Sequence, residues 1–276
     1  MNIVKNFPNL VLDLDDVLLH EPSKEITKQH EFFSKKSFLV KDSYNHNYIV
    51  PAYLAEFLKF ATNRFNIAFF SSGDGQRNIS VVQDIWQKVF NTNKPESIQV
   101  LCRKHLTNAE HIKELQPYDG WDWYGNQKKD ISKIGELHNT ILVDDDKSWV
   151  LKGQESNLLK VSHFSGYLFQ SILENYGNKD ASTRIVEKSL TDKHEADYLL
   201  AYYKLVYITG LLDIANQHTT SIVNGLHAIQ FEEDQPQFSD RIKDLQYYKR
   251  GYSVLSECSN GPLPELFPEI EKHFKS

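Results

Sequence analysis

Three aliphatic residues, Leu10-Val11-Leu12, run straight into Asp13-Leu14-Asp15-Asp16. A short apolar run ended by acids reads as a strand buried on both faces, the kind that parallel sheets place between crossover helices. The pattern recurs: Thr140-Ile141-Leu142-Val143 runs into Asp144-Asp145-Asp146, and Asn66 to Phe70 stops at Ser71-Ser72-Gly73. In an open α/β sheet the carboxyl ends of the strands face the ligand crevice. Three carboxylates in four positions repel one another. If the two acidic strands are central neighbours, their clusters converge, and a hard divalent cation such as magnesium relieves the repulsion.

Around these strands, short apolar runs alternate with helical periods as far as residue 175. Phe38-Leu39-Val40 and Tyr48-Ile49-Val50 predict a small β-flap. Pro51 opens a helix through Tyr53, Leu54, Phe57 and Leu58, and Ile79 to Phe90 has helical periodicity. Ile98 to Leu101 reads as a strand in an insertion, and Leu158 to Val161 as a fourth core strand. Beyond residue 176 the strand signals fade. His194 to Ala215, Thr219 to Phe231 and Phe238 to Ser256 read as helices, with a short one over Glu269 to Phe274. The expected architecture is α/β: a Rossmann-like domain over residues 1–175, with a central parallel sheet and a small β-flap, then a helical domain over 176–276.

Composition narrows the function classes. The 276 residues are 40% hydrophobic and 25% charged, enough for one large or two small domains. The formal charge of -6 supplies no basic field for non-specific nucleic-acid binding. Cys102 and Cys258 are isolated, which argues against a disulfide framework and for a reducing compartment. The start has no signal-peptide pattern, and the apolar stretch Tyr198 to Leu212 is interrupted by Lys204 and too short to span a bilayer. A cytoplasmic location and no transmembrane segment are expected.

Two further residues suit a phosphate site. Ser71 follows a strand, so its hydroxyl and N–H are placed to hold a phosphoryl oxygen, and Lys129 precedes the third core strand, where it neutralises a nucleophile and a phosphate. Asp16 is grouped with them as phosphate-binding. Lys128 adjoins Lys129 and competes for the same role.

The run Leu10 to His20, LVLDLDDVLLH, resembles the DxDx(T/V) signature of haloacid dehalogenase-superfamily phosphatases. It is especially similar to RNA polymerase II carboxy-terminal-domain phosphatases and the magnesium-dependent phosphatase-1 group. The similarity continues through Tyr48 to Leu58, Phe69-Phe70-Ser71-Ser72, Lys129 to Gly135 and Ile141 to Asp145. The resemblance implies an aspartate-based phosphatase with bound Mg2+. Asp13 would be nucleophile and metal ligand. Asp15 would be acid and base, with its backbone carbonyl on the metal. Asp145 would be the third metal ligand, with Asp144 as alternate or support, while Ser71 and Lys129 would hold the phosphoryl group. Val17 and Asp145-Asp146-Lys147 depart from the carboxy-terminal-domain pattern, which weakens any inference about the same peptide substrate.

No large cap is evident in the sequence, so a phosphorylated protein is the expected substrate, with a lean to phosphotyrosine. Small-metabolite phosphatase activity is the alternative. Phe32, Phe33, Trp121, Trp123, Tyr124 and Trp149 are candidate pocket aromatics. The last hundred residues carry Arg241, Lys243, Lys249 and Arg250, a candidate surface for anionic lipid or a protein partner; that targeting role is a second alternative for the main function. The Asn-, Lys- and Ile-rich composition is similar to that of effectors that intracellular bacteria inject into host cells, which implies secretion into a host and membrane association.

Overall fold

Among the residues described by the computed structural model (7–20, 39–108, 127–161, 203–218, 221–230, 245–259 and 263), the chain alternates as the sequence predicts. In chain order come β1 (Asn9–Leu12), β2 (Leu39–Lys41), β3 (Asn47–Ile49), α1 (Leu54–Arg64), β4 (Asn66–Phe70), α2 (Gly75–Phe90) and β5 (Gln99–Leu101). Then follow β6 (Thr107–Asn108), β7 (Gln127–Lys128), β8 (Thr140–Asp144), β9 (Leu158–Lys160), α3 (Lys204–His218), α4 (Ile222–Gln230) and α5 (Leu245–Cys258).

Five strands make one parallel sheet in the order β5-β4-β1-β8-β9. β1 lies at its centre, with Leu12 opposite Phe69 on one side and Val143 on the other. The ends of the two acidic strands are therefore neighbours. β5 is the sheet's edge strand, which corrects the expectation that Ile98 to Leu101 belongs to an insertion. The predicted flap is the antiparallel pair β2–β3, joined to the end of the β1 loop by reciprocal backbone hydrogen bonds between His20 and Ile49.

Alternate residues of each central strand enter two apolar layers. Leu10, Leu12, Phe69, Ile141 and Val143 join the layer that also holds α1, α2 and the C-terminal helices. Val11, Phe70 and Leu142 pack with Ile131 and Val150 on the other face. Burial on both faces is what makes these strands read as continuous apolar runs.

The C-terminal helices share this core with the sheet. Tyr203 packs against Tyr53 at the start of α1, with ring centroids 5.8 Å apart, and Tyr252 meets the same ring edge-on. α3 and α5 cross at two glycines. A Cβ on Gly210 would lie 1.9 Å from the Tyr247 carbonyl oxygen, and one on Gly251 would lie 1.8 Å from that of Val206. Gly251→Ala forces the backbones apart. It is expected to cost about 2 kcal/mol net of the helix propensity that alanine brings, seen as a lower midpoint in urea; an unchanged midpoint would refute the close crossing.

The 175/176 boundary, the aromatics Phe32, Phe33, Trp121, Trp123 and Tyr124, the starts of the first and third C-terminal helices, and the short terminal one fall outside the described residues. So do Arg241 and Lys243. Of the other two basic residues, Lys249 is exposed, but Arg250 donates to Asp213 of α3 at 2.7 Å, so its charge is engaged within the fold. Among the described residues no helix is long and apolar enough to cross a membrane.

Candidate active site

Asp13 is the first residue past β1, and only 6% of its surface is exposed. Its N–H continues the ladder to the Val143 carbonyl at 3.0 Å. Its Oδ1 accepts from the Leu14 N–H at 2.8 Å and from Lys129 Nζ at 2.9 Å. Both donors meet the same oxygen, Oδ1.

Lys129 is almost fully buried and bridges the two acidic strand ends, with its ammonium 2.7 Å from Asp144 Oδ2. Its backbone is clamped to the 3-10 turn after β8, through hydrogen bonds with the Trp149 carbonyl and the Leu151 N–H. Lys128 turns away, with its ammonium on the Ser148 carbonyl at 2.6 Å. The structure thus places Lys129, and not Lys128, beside Asp13. Trp149 contributes to the site by this backbone contact.

Asp144 has both oxygens engaged, Oδ2 by Lys129 and Oδ1 by the Asp146 N–H at 2.9 Å. Asp145, the next residue, is half-buried. One carboxylate oxygen from each of Asp13, Asp144 and Asp145 lies within 4.8 Å of the others. Burial pushes the Asp13 carboxyl well above the usual carboxylate range; Lys129 opposes the shift, and Asp144 and Asp15 add to it. Burial likewise raises Asp144 against the pull of Lys129. For Lys129, burial acts against the charge, but its two carboxylate neighbours prevail and hold it above the ordinary lysine value. Two buried carboxylates share one ammonium, and a third stands beside them. This all-oxygen set, short of positive charge, fits a hard divalent cation.

Asp15 reaches outward, with 46% of its side chain exposed. Ser71, buried at the end of β4, donates its hydroxyl to Asp15 Oδ2 at 2.8 Å and accepts the Gly73 N–H. Gly73 has little room for a side chain, since a Cβ would lie 2.8 Å from Asn78 Oδ1. Asp16 takes a left-handed conformation, φ 57°, and its carboxylate lies 3.7 Å from His20 Nδ1. The fold therefore brings Asp13, Lys129, Asp144 and Asp145 into one cluster and links Ser71 to Asp15 beside it, whereas the Asp16 side chain lies beside His20.

Two cations at the site were not anticipated. Arg77, in the first turn of α2, grips Asp15 with both terminal nitrogens, Nη1 at 3.1 Å from Oδ2 and Nη2 on Oδ1. Its guanidinium lies 4.7 Å from the centroid of the Tyr48 ring in the flap. Asp74 caps that helix through the Gln76 and Arg77 N–H groups, which fixes where Arg77 begins. A cation in the first turn runs against the helix dipole, and that anomaly is the sequence signal that would have found it. Lys204, at the start of α3, is wholly buried and donates to the Asp16 carbonyl at 2.6 Å. Burial pulls its ammonium down to about 7, while Asp145, Asp16 and Asp13 resist.

The profile of the NLI interacting factor-like phosphatase family matches residues 8–177, more than half of the chain. In a comparison with curated proteins, no sequence matches. Similar solved structures include an arginine-to-alanine variant of the fission yeast RNA polymerase II CTD phosphatase Fcp1 bound to beryllium fluoride. Its identity is 13% and its TM-score 0.45, with 87% of this chain and 70% of that chain covered. A second structure of Fcp1, described as an essential RNA polymerase II CTD phosphatase, has 15% identity and a TM-score of 0.38, covering 96% of this chain and 70% of that one. The matched segment contains Asp13, Asp15, Ser71, Lys129, Asp144 and Asp145, and the chain belongs to the NLI interacting factor-like phosphatases, phosphoric monoester hydrolases of the haloacid dehalogenase type.

Proposed function

We propose that the chain is a magnesium-dependent protein phosphatase, preferring phosphotyrosine, that works through an aspartyl phosphate on Asp13. The observation that carries this reading is the immobilised Asp13 carboxylate, with Oδ1 held by Lys129 and the Leu14 N–H. Oδ2 attacks phosphorus, the ester P–O bond breaks, and Asp15 protonates the departing oxygen. Water then attacks the phosphorus of the aspartyl phosphate while Asp15 takes its proton. The bond to Asp13 breaks, releasing inorganic phosphate and restoring both carboxyl groups. Ser71 and Lys129 hold and neutralise the phosphoryl oxygens. Asp13, Asp145 and the Asp15 carbonyl would hold Mg2+, with Asp144 supporting Lys129. The ion supplies charge neutralisation between carboxylate and phosphate.

The leaving-group preference follows from Arg77. Asp15 accepts from Arg77 on both oxygens and from Ser71 on one. Three donors occupy its two oxygens, so a proton carried by Asp15 to the leaving group must displace one of them. An ester whose oxygen departs with little protonation suits Asp15, and a phenolate, with a conjugate-acid pKa of about 10, departs far more readily than an alkoxide. Arg77→Ala is expected to narrow the rate ratio of phosphotyrosine to phosphoserine peptides by roughly tenfold; the same ratio in both proteins would remove Arg77 from this role.

The broader reading is tested by initial rates on phosphotyrosine peptides, phosphoserine peptides and sugar phosphates, with Mg2+ and with EDTA. Peptides should exceed sugar phosphates, aryl esters should exceed alkyl esters, and EDTA should abolish turnover. A clear preference for sugar phosphates would replace the protein substrate with a metabolite.

A further inference from the structure

The turn after β1 is wound tightly. The Leu18 and Leu19 N–H groups both return to the Leu14 carbonyl, and the Asp16 N–H meets the Leu19 carbonyl. At its apex Asp16 is left-handed, a conformation that costs a residue with a side chain on the order of 1 kcal/mol unless its surroundings hold it. The Asp16 carbonyl accepts from Lys204 Nζ, a donor from a point 188 residues later in the chain. Lys204 has no exposed surface, so bulk water has no access to take over that bond. It also lies beyond residue 177, where the family match ends.

The base that carries Lys204 is firm. Tyr203, just before it, is buried against Tyr53, and α3 is pressed onto α5 at Gly210 and Gly251. We infer that Lys204 is a positioning residue for the catalytic turn, and that the C-terminal helices complete the active site through it. By fixing the Asp16 carbonyl, it holds the peptide between Asp16 and Val17, one residue past Asp15, and so the turn from which Asp15 reaches toward the leaving group. The inference rests on the phosphatase reading above.

The test is made in the full chain, with Asp13→Asn assayed alongside. Lys204→Met keeps an apolar stem of similar length and removes the donor. It should lower kcat on an aryl phosphate roughly ten- to a hundredfold, as loss of a group that orients catalytic residues does. KM should stay within about threefold, because binding of the phosphoryl group is left in place, and the melting transition should be retained. Lys204→Gln, which keeps an N–H donor, should fall between Lys204→Met and the unaltered protein. An unaltered kcat in Lys204→Met would overturn the inference. Loss of the melting transition in both Lys204 variants would overturn it too, making Lys204 a structural strut. If Asp13→Asn also turns over normally, the phosphatase reading itself fails; if Asp13→Asn is inactive while Lys204→Met is not, only the role of Lys204 falls.

Discussion

Asp13→Asn is expected to lower phosphate-ester hydrolysis by on the order of 10^4-fold or more, the scale seen when a covalent nucleophile is removed. The amide has nearly the same shape and can still accept from the Leu14 N–H and from Lys129, so the turn after β1 keeps its partners. What it lacks is the anionic oxygen that attacks phosphorus. The substitution also removes one of two buried carboxylates that share a single ammonium. Inactivity should therefore come with an intact melting transition. Initial rates and a melting curve on one preparation check both halves.

Lys129→Met should disable the protein in a different way. It strands Asp13 and Asp144, both buried, without the cation that lies 2.9 Å from one and 2.7 Å from the other. Breaking a buried ion pair from one side costs about 3–5 kcal/mol, read as a lower midpoint in guanidinium. Activity should vanish even where the fold survives. Adding Asp144→Asn should recover part of the lost stability, because it removes one stranded charge. Lys128→Met should change the midpoint by no more than about 0.5 kcal/mol, since that side chain is half-exposed and bonds only to the Ser148 carbonyl in the described structure. Equal losses from the two lysine variants would show that the buried bridge does not hold the site together.

The catalytic strands were legible because burial on both faces leaves an unbroken aliphatic run, and the acids mark where each run meets the crevice. Leu10-Val11-Leu12 and Ile141-Leu142-Val143 announce themselves in this way, and their pairing in the centre of the sheet brings the acids together as expected. Ser71 and Lys129 became readable only through their order relative to those acids. β5 was misjudged as part of an insertion because a three-residue strand carries too little pattern to say which sheet it joins.

The two unanticipated cations illustrate a different limit. Whether a long cationic side chain is solvated or buried depends on what packs over it, and propensity and periodicity do not record that. Arg77 is poised over Tyr48, and Lys204 is sealed beneath helices that meet the sheet only in the folded chain. Lys204 did leave one trace, as the cation interrupting an apolar stretch. An ammonium placed there must find an acceptor when the helix is buried, and the acceptor is the Asp16 carbonyl.

Trapping the intermediate bears most directly on the role of Asp13. Borohydride added during turnover of an aryl phosphate reduces an acyl phosphate to the alcohol, and peptide mass spectrometry then locates the modified residue. The expected result is conversion of Asp13 to homoserine, dependent on substrate and abolished by EDTA. Reduction at another residue, or none at all while turnover proceeds at full rate, would contradict an aspartyl phosphate on Asp13.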